Sequence, residues 1–203
     1  MSEFTTVQYS LVEDQSMYFK KILDWCNIAS QETDKPAAYN MRVSNWEEQE
    51  DTLAYILHNG RRFYKRGEYF FLEKNGEIVA GSGIYRSDFD NNLTIGGVRS
   101  WVNPQYRAKF VIGRYLLPLQ LSWAKENNYK TIALTFNDYN SRLINYFRRS
   151  GFGIVKNRNP NSLFYNGLHE LPYQIKVKGT AQWAIYHKID EEYEPNWEVA
   201  KVK

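Results

Sequence analysis

The sequence contains a single cysteine, Cys26, and only three histidines among 203 residues. One cysteine excludes an internal disulfide and a cysteine metal site, so a reducing compartment such as the cytoplasm is expected. The histidines, His58, His169 and His187, lie far apart without metal-ligand spacing, and no metal is predicted. Long apolar runs and a basic, apolar leader are also missing, so neither a membrane span nor a signal peptide is expected.

Excess charge is missing as well, since the formal net charge is only +3. That value permits an anionic ligand but is far below the charge of a dedicated nucleic-acid binder. The basic run 61–66 is interpreted as a solvated loop after a helix end, with RNA contact as the weaker alternative. Aromatic residues, in contrast, make up 16% of the chain, which predicts a core and a cleft rich in rings.

Hydrophobic periodicity and turn residues predict an α/β (α+β) fold with a mixed sheet of about six to seven strands flanked by helices. The strongest local signal is Asn75-Gly76 between two strand patterns, which predicts a hairpin with a type I′ turn. The predicted strands are 4–12, 68–74, 77–85, 93–102, 131–136, one beginning at 151, and 181–189. The predicted helices are 16–28 with Ser16 as cap, 44–60 with a Ser44–Glu47 capping box, one ending near 127, and 140–150.

The segment Val102–Leu117, VNPQYRAKFVIGRYLL, places basic residues and a glycine at a predicted helix start. A helix N-terminus offers unpaired N–H groups and partial positive charge, which together favour phosphate. Arg107, Lys109 and Arg114 add positive charge, and Gly113 allows a ligand to approach the backbone closely. From these residues alone, a phosphate loop and a basic helix start without a ligand are equally supported.

A second motif favours the phosphate loop. The string Val102-x-Pro-x-Tyr-Arg107 with Gly113-Arg114 resembles the coenzyme A loop of the GNAT superfamily of N-acetyltransferases. Downstream, Asn140 with apolar, aromatic and Gly-Phe residues at positions +3, +7, +11 and +12 resembles that family's second signature. The resemblance implies a single GNAT-like domain over residues 1–203. Residues 1–67 would shape the acceptor side, 68–156 would bind acyl-CoA, and 157–203 would hold a long loop, the last strand and a tail.

The resemblance also implies roles for individual residues. Acetyl-CoA, or a related acyl-CoA, would be the cosubstrate, and a small-molecule or peptide amine would be the acceptor. The backbone at Trp101 and Val102 would pair with the pantetheine arm and polarise the thioester, and Asn140 would bind the pantetheine side. The loop residues expected to contact the cofactor are Arg107, Lys109, Phe110, Val111, Ile112, Gly113 and Arg114, with the backbone N–H groups of 111–114 on the pyrophosphate.

Two departures from the family pattern raise an alternative, a GNAT-shaped binding or structural module without catalysis. The aromatic position that often carries a tyrosine acid is Phe147, so the neighbouring Tyr146 becomes the candidate acid, with a core or surface tyrosine as the favoured alternative. The loop carries an additional bulky residue near Phe110, and Pro118 predicts a kinked or loosened first helical turn. Gly96-Gly97 in strand 93–102 indicates either a bulge or room for an aromatic neighbour, and the two interpretations are equally supported.

The sequence does not rank Asp88, Glu68 and His169 as acceptor-side bases. It leaves the acceptor and the acyl chain length open, and it does not decide whether the chain forms a homodimer.

Overall fold

The structure is a computed structural model that describes residues 3–31, 57, 67–86, 91–136, 141–156 and 183–191. The helices are α1 Gln15–Gln31, α2 Leu117–Glu126 and α3 Ser141–Arg149. The strands are β1 Thr5–Gln8, β2 Gly67–Lys74, β3 Glu77–Arg86, β4 Leu93–Val102, β5 Thr131–Phe136, β6 Gly153–Lys156 and β7 Trp183–Lys188. Short 3₁₀ segments cover Tyr9–Leu11 and Pro104–Lys109, and a π turn covers Ile112–Leu116 directly before α2.

Seven described strands form one mixed sheet in the order β1-β2-β3-β4-β5-β7-β6. Neighbouring strands pair antiparallel at β1–β2, β2–β3, β5–β7 and β6–β7, whereas β4 and β5 pair in parallel. The predicted α/β class and the mixed sheet of six to seven strands are therefore confirmed. Within these ranges, no helix is long and apolar enough to cross a membrane.

The hairpin of β2 and β3 closes through the predicted two-residue turn. Lys74 pairs with Glu77, and both turn residues have positive φ, 53° at Asn75 and 79° at Gly76. Positive φ at both central positions defines type I′, whose twist matches that of the flanking strands. The sequence prediction is confirmed here because the turn is determined by local backbone preferences alone.

The chain divides into two compact units, of which the first comprises Met1–Tyr85 and Gly97–Gln120. Its core lies where α1 packs on β2, and its buried residues are Tyr9, Ile22, Leu23, Trp25, Leu57, Tyr69 and Phe71. The prediction that Ser16 caps α1 is wrong: Asp14 Oδ1 accepts from the Met17 N–H at 3.0 Å, and Ser16 lies inside the helix. Asp is the better cap because its ionised oxygen also complements the helix dipole.

The second unit comprises Arg86–Gly96 and Leu121–Lys203. Its helix α3 ends in a Schellman motif, in which Gly151 has φ 86° and donates to Arg148 O while Phe152 N donates to Phe147 O at 2.9 Å. The rings of Phe147 and Phe152 pack with centroids 5.0 Å apart, the hydrophobic contact that accompanies this cap. The aromatic and Gly-Phe positions of the second signature therefore also form a helix terminus.

Several sequence predictions lie outside the described residues. These are the Ser44–Glu47 capping box with all of its helix except Leu57, the basic run 61–66, the loop 157–179, and the residues His58, Asp88, Asn140 and His169.

Candidate functional site

The loop that follows β4 is attached to the sheet by two hydrogen bonds. Asn103 N donates to Val79 O at 2.8 Å, and Arg107 Nε donates to Val102 O at 3.0 Å. Asn103 also caps the 3₁₀ segment, because its Oδ1 accepts from Gln105 N at 3.3 Å. Trp101 and Val102 are half-buried at the strand end. Arg107 therefore fixes the start of the loop and adds its positive charge there.

The additional loop residue is accommodated by two backbone features. Phe110 ends the 3₁₀ segment in the left-handed region, with φ 49° and ψ 37°. The following turn is π-wound, since Leu117 N donates to Ile112 O, a bond that spans one residue more than an α turn. The additional residue is thus taken up by one wide turn, and helix α2 follows directly with ordinary α-helical geometry.

Pro118 lies at the second position of α2, directly after the π turn. A proline lacks the N–H for an intrahelical bond, and its ring crowds the carbonyl four residues earlier. A wider turn relieves that crowding, so the loosened first turn predicted from Pro118 is present. The proline and the additional residue therefore act on the same turn.

The helix start places backbone donors and cations together. Val111 and Gly113 are buried, and Arg114 is exposed with its guanidinium 5.2 Å from the centre of the Tyr115 ring. Arg114 N donates to Phe110 O at 3.0 Å, which ties that amide, one of the four predicted to contact a pyrophosphate, into the helix. First-turn amides and nearby cations are the donor set that suits a pyrophosphate, so these residues fit the cosubstrate that the loop motif implies.

Phe4 braces the loop from the N-terminal segment. Its buried ring packs edge-on against Tyr106, 5.6 Å away, and against Tyr115, 5.3 Å away. In the sequence these tyrosines flank residues 107–114, the stretch that departs from the family pattern. Lys74 lies over the Phe4 ring, and a hydrogen bond to Glu3 raises the pKa of its ammonium. Sequence reasoning missed this brace, because residues about 100 positions apart give no local signal.

A ring of four hydrogen bonds holds β4 at Gly97. Gly97, with φ 71°, donates from N to Gln120 Oε1 at 3.3 Å, and Gln120 Nε2 donates to Ser82 Oγ at 2.8 Å. Ser82 and Ser100 share a bond of 2.7 Å, and Ser100 Oγ donates to Gly97 O at 2.8 Å. Ser82 must therefore donate to Ser100, so every bond has a consistent direction. Gly97 thus adopts the left-handed backbone region, and the bulge predicted at Gly96-Gly97 stays a prediction.

The candidate catalytic residues lie in different parts of the fold. Tyr146 is on α3 in the second unit, is 1% exposed, and packs edge-on against Phe147 with ring centroids 5.1 Å apart. Glu68, one of three candidate bases, is fully buried in the first unit and accepts from Gln8 Nε2, Ser10 N and Tyr69 N. These bonds stabilise the carboxylate as part of the fold. The other candidate bases and Asn140 lie outside the described residues, as does the side chain of Lys109.

The first unit carries a layer of packed aromatic rings, which the sequence predicted only in general terms from its high aromatic content. Trp25 of α1 and Trp101 of β4 stack with centroids 5.0 Å apart and planes inclined by 15°. Phe71 lies 5.9 Å from Trp25 and 4.8 Å from Tyr69. Gly81 makes room for this layer, because a Cβ there would lie 2.4 Å from Trp25 and 2.7 Å from Tyr69. The layer is thus built from strand and helix rings together.

Comparisons with known proteins identify a family from the sequence and a fold from solved structures. The sequence model of the Acetyltransferase (GNAT) family matches residues 35–152, more than half of the chain. A GNAT-family acetyltransferase structure from Staphylococcus aureus Mu50 is 18% identical, with a TM-score of 0.59 over 92% of this chain and 99% of that chain. A putative acetyltransferase from Salmonella typhimurium, solved with its cofactor acetyl-CoA, is 14% identical, with a TM-score of 0.61 over 96% and 99%.

A third structure, an acetyltransferase from Streptococcus agalactiae 2603, is 15% identical, with a TM-score of 0.58 over 91% of this chain and 98% of that chain. At such identities the similarity shows the fold alone. A search of curated proteins finds no significant match.

Proposed function

The chain belongs to the GNAT family of acetyltransferases, and we propose that it transfers an acetyl or related acyl group from acyl-CoA to an amine. The whole chain acts as one domain of that family in this proposal. The loop after β4 carries the argument, because its π turn accommodates the additional residue and still starts a helix with first-turn amides beside Arg107 and Arg114. A helix start with cations is the donor set for a pyrophosphate.

The proposed cosubstrate contacts follow the loop from strand to helix. The Trp101 and Val102 backbone pairs with the pantetheine arm, and Arg107, Lys109 and Arg114 supply charge. Phe110 to Gly113 supply the turn that faces the pyrophosphate, and Asn140 contacts the pantetheine side. The Val102 carbonyl also accepts from Arg107 Nε, which holds this end of the strand beside the loop.

Acyl transfer requires two proton movements. An amine with a pKa of about 10 is protonated at neutral pH and must lose a proton before its nitrogen attacks the thioester carbon. The carbon–sulfur bond then breaks, and the thiolate leaves and is protonated. Tyr146 is the proposed proton donor to that thiolate, and the base that deprotonates the amine is unassigned.

Calorimetry with acetyl-CoA tests cosubstrate binding. Wild type is expected to bind, whereas Gly113→Trp, which places an indole at a buried position of the π turn, is expected to bind at least about 100-fold more weakly. Leu11→Trp, at a position 77% exposed in the N-terminal segment, is the matched control and should bind like wild type. No heat from wild type at millimolar acetyl-CoA would sink the proposal.

A binding module without catalysis is the second candidate, favoured by Phe147 at the tyrosine position and by the burial of Tyr146. Release of free thiol from acetyl-CoA in the presence of an amine panel separates the two. Thiol release that falls in Tyr146→Phe supports the enzyme with Tyr146 as acid. Tight acetyl-CoA binding without thiol release for any amine supports the module.

A further inference from the structure

Gln120 is a polar side chain on the buried face of α2. It is 1% exposed, and its buried neighbours along that face are the apolar residues Leu116, Leu117, Trp123 and Ala124. An apolar side chain would continue this face, whereas a buried amide is costly unless it is hydrogen-bonded. The hydrogen bonds of Gln120 therefore decide what this residue contributes.

The ring of hydrogen bonds that includes Gln120 begins and ends on the backbone of Gly97. Gly97 N donates to Gln120 Oε1 at 3.3 Å, and Gly97 O accepts from Ser100 Oγ at 2.8 Å. Ser82 closes the ring between Gln120 and Ser100. Each bond in such a chain polarises the next and strengthens it. The ring thus bonds the helix directly to one backbone position of β4.

Hydrogen bonds and apolar contacts restrain a packed helix in different ways. Apolar contacts oppose the separation of a helix from a sheet, but they are non-directional, so a small sliding of the helix along its axis keeps most of them. A hydrogen bond weakens steeply when its angle changes, and buried polar residues fix the register of packed helices for this reason. The bond between Gln120 and Gly97 therefore fixes α2 along its axis relative to β4.

The two bonded residues stand on either side of the candidate cosubstrate loop. Gly97 precedes Trp101 and Val102 in β4, and Gln120 follows the π turn Ile112–Leu116 by about one helical turn. In the proposed function, the strand end contacts the pantetheine arm and the π turn contacts the pyrophosphate. The ring thus joins the two elements that carry the two ends of one ligand.

We propose that Gln120 is a positioning residue for acyl-CoA, and that its bond to Gly97 sets the spacing between the pantetheine and pyrophosphate ends of the site. The inference rests on the proposed binding of acyl-CoA and adds a residue outside the loop. Acyl-CoA is a bivalent ligand of such a site: once one end is bound, the other binds at a high effective concentration if the spacing is right. A displacement of about 1 Å costs up to about 100-fold.

A ligand that occupies one end of the site separates positioning from a general loosening of the fold. The probes are acetyl-CoA, which spans both ends, and ADP, which carries the pyrophosphate alone. Gln120→Met keeps nearly the same volume and removes the hydrogen bonds. Calorimetry is expected to show a Kd for acetyl-CoA raised about 10- to 100-fold, while the Kd for ADP changes less than about twofold.

The outcomes of this comparison are distinct. Equal weakening of ADP and acetyl-CoA in Gln120→Met would make Gln120 a purely structural residue and overturn the inference, with the proposed function intact. Wild type that binds acetyl-CoA but not ADP at about 10 mM would overturn it as well, because the pyrophosphate end would then contribute nothing by itself. Wild type that binds neither ligand would refute the proposed function itself.

Ser100→Ala is the second variant, because it breaks the ring at a half-buried position without changing the helix. It is expected to raise the Kd for acetyl-CoA about three- to tenfold, again without an effect on ADP. Ser122→Ala, at an exposed position of α2, is the matched control and should change neither Kd. An unchanged Kd for acetyl-CoA in Ser100→Ala would contradict a role for the ring.

Gln120→Glu tests whether the bonds themselves matter, because a protonated carboxyl group donates and accepts like a carboxamide. The ionised form cannot donate to Ser82, and burial raises the pKa of a glutamate, so the protonated form returns as the pH falls. Measured against wild type at each pH, the Kd of Gln120→Glu for acetyl-CoA is expected to approach the wild-type value between about pH 8 and pH 5. Gln120→Met should keep a constant ratio to wild type. A pH-independent ratio in both variants would overturn the inference.

Discussion

Gln120 of α2 and Ser82 of β3 are joined by a buried hydrogen bond of 2.8 Å from Gln120 Nε2 to Ser82 Oγ. The same Gln120 side chain accepts from Gly97 N, so one residue of the helix holds two strands of the sheet. The strand with Gly97 leads to Trp101 and the loop. The relationship therefore connects the packing of α2 with the position of the candidate cosubstrate site.

Gln120→Leu tests this connection. Leucine has a similar size but cannot bond to Gly97 or Ser82, so we expect a loss of about 2–4 kcal/mol in the free energy of unfolding. Urea unfolding measures the loss. Gln105→Leu, an exposed position in the adjacent loop, should change stability by less than about 0.5 kcal/mol. Equal stability of the two variants would show that the ring of hydrogen bonds contributes nothing.

Phe4 is expected to affect acyl-CoA binding from outside the loop. Phe4→Leu keeps apolar bulk but loses two edge-on ring contacts, each worth about 0.5–1.5 kcal/mol. The expected result is an increase of about three- to tenfold in KM for acetyl-CoA with little change in kcat. Leu11→Ala, on an exposed side chain of the same segment, is the control. An unchanged KM in Phe4→Leu means that the tyrosines hold the loop without the brace.

Phe110 offers a test of backbone strain in the loop. At φ 49° a non-glycine residue is disfavoured relative to glycine. Phe110→Gly and Phe110→Ala both remove the ring, so the difference between the two variants reports this backbone preference. The glycine variant is therefore expected to be more stable than the alanine variant by about 1 kcal/mol, the reverse of their order in a regular helix. Thermal unfolding measures the difference. A more stable alanine variant would refute the left-handed conformation.

Gly151 tests the helix terminus of the second signature. A Cβ there meets nothing within 4 Å, so the cost of Gly151→Ala arises from φ 86° alone and is expected to be about 1 kcal/mol. Gly151→Asn is the comparison, because asparagine tolerates the left-handed region better and should cost less. Chemical denaturation of the two variants checks that order.

Tyr18 predicts a change of stability at alkaline pH. Burial, together with a hydrogen bond to Glu73, raises the pKa of Tyr18 from its ordinary value of 10.0 to about 12. The folded state keeps this proton where the unfolded chain loses it, so the stabilisation is complete below about pH 10 and is lost as the pH approaches 12. In Tyr18→Phe the decline in stability above about pH 10 should be shallower, as measured by urea unfolding across that range.

Local sequence determined those parts of the fold that short-range chemistry controls. Asn75-Gly76 fixed a type I′ turn because both residues accept positive φ, and the apolar pattern located β4 and β5 at the observed residues. Pro118 predicted a loosened turn because proline removes a donor. The prediction of Ser16 as the cap was wrong, because the helix begins at Gln15 and Asp14 caps it. Asp14 and Ser16 are both suitable caps, and the residue at which the helix begins decides between them.

Sequence by itself therefore determined the family, the sheet and the place of the candidate cosubstrate loop, since two motifs and the order of the elements are properties of neighbouring residues. Tertiary structure decided how the additional residue at Phe110 is accommodated, because left-handed and π geometry emerge only once the loop is fixed at both ends. It also brought Gln120 to Ser82, Phe4 to two tyrosines, and Trp25 to Trp101. Such contacts join distant residues through packing, which leaves no pattern along the chain.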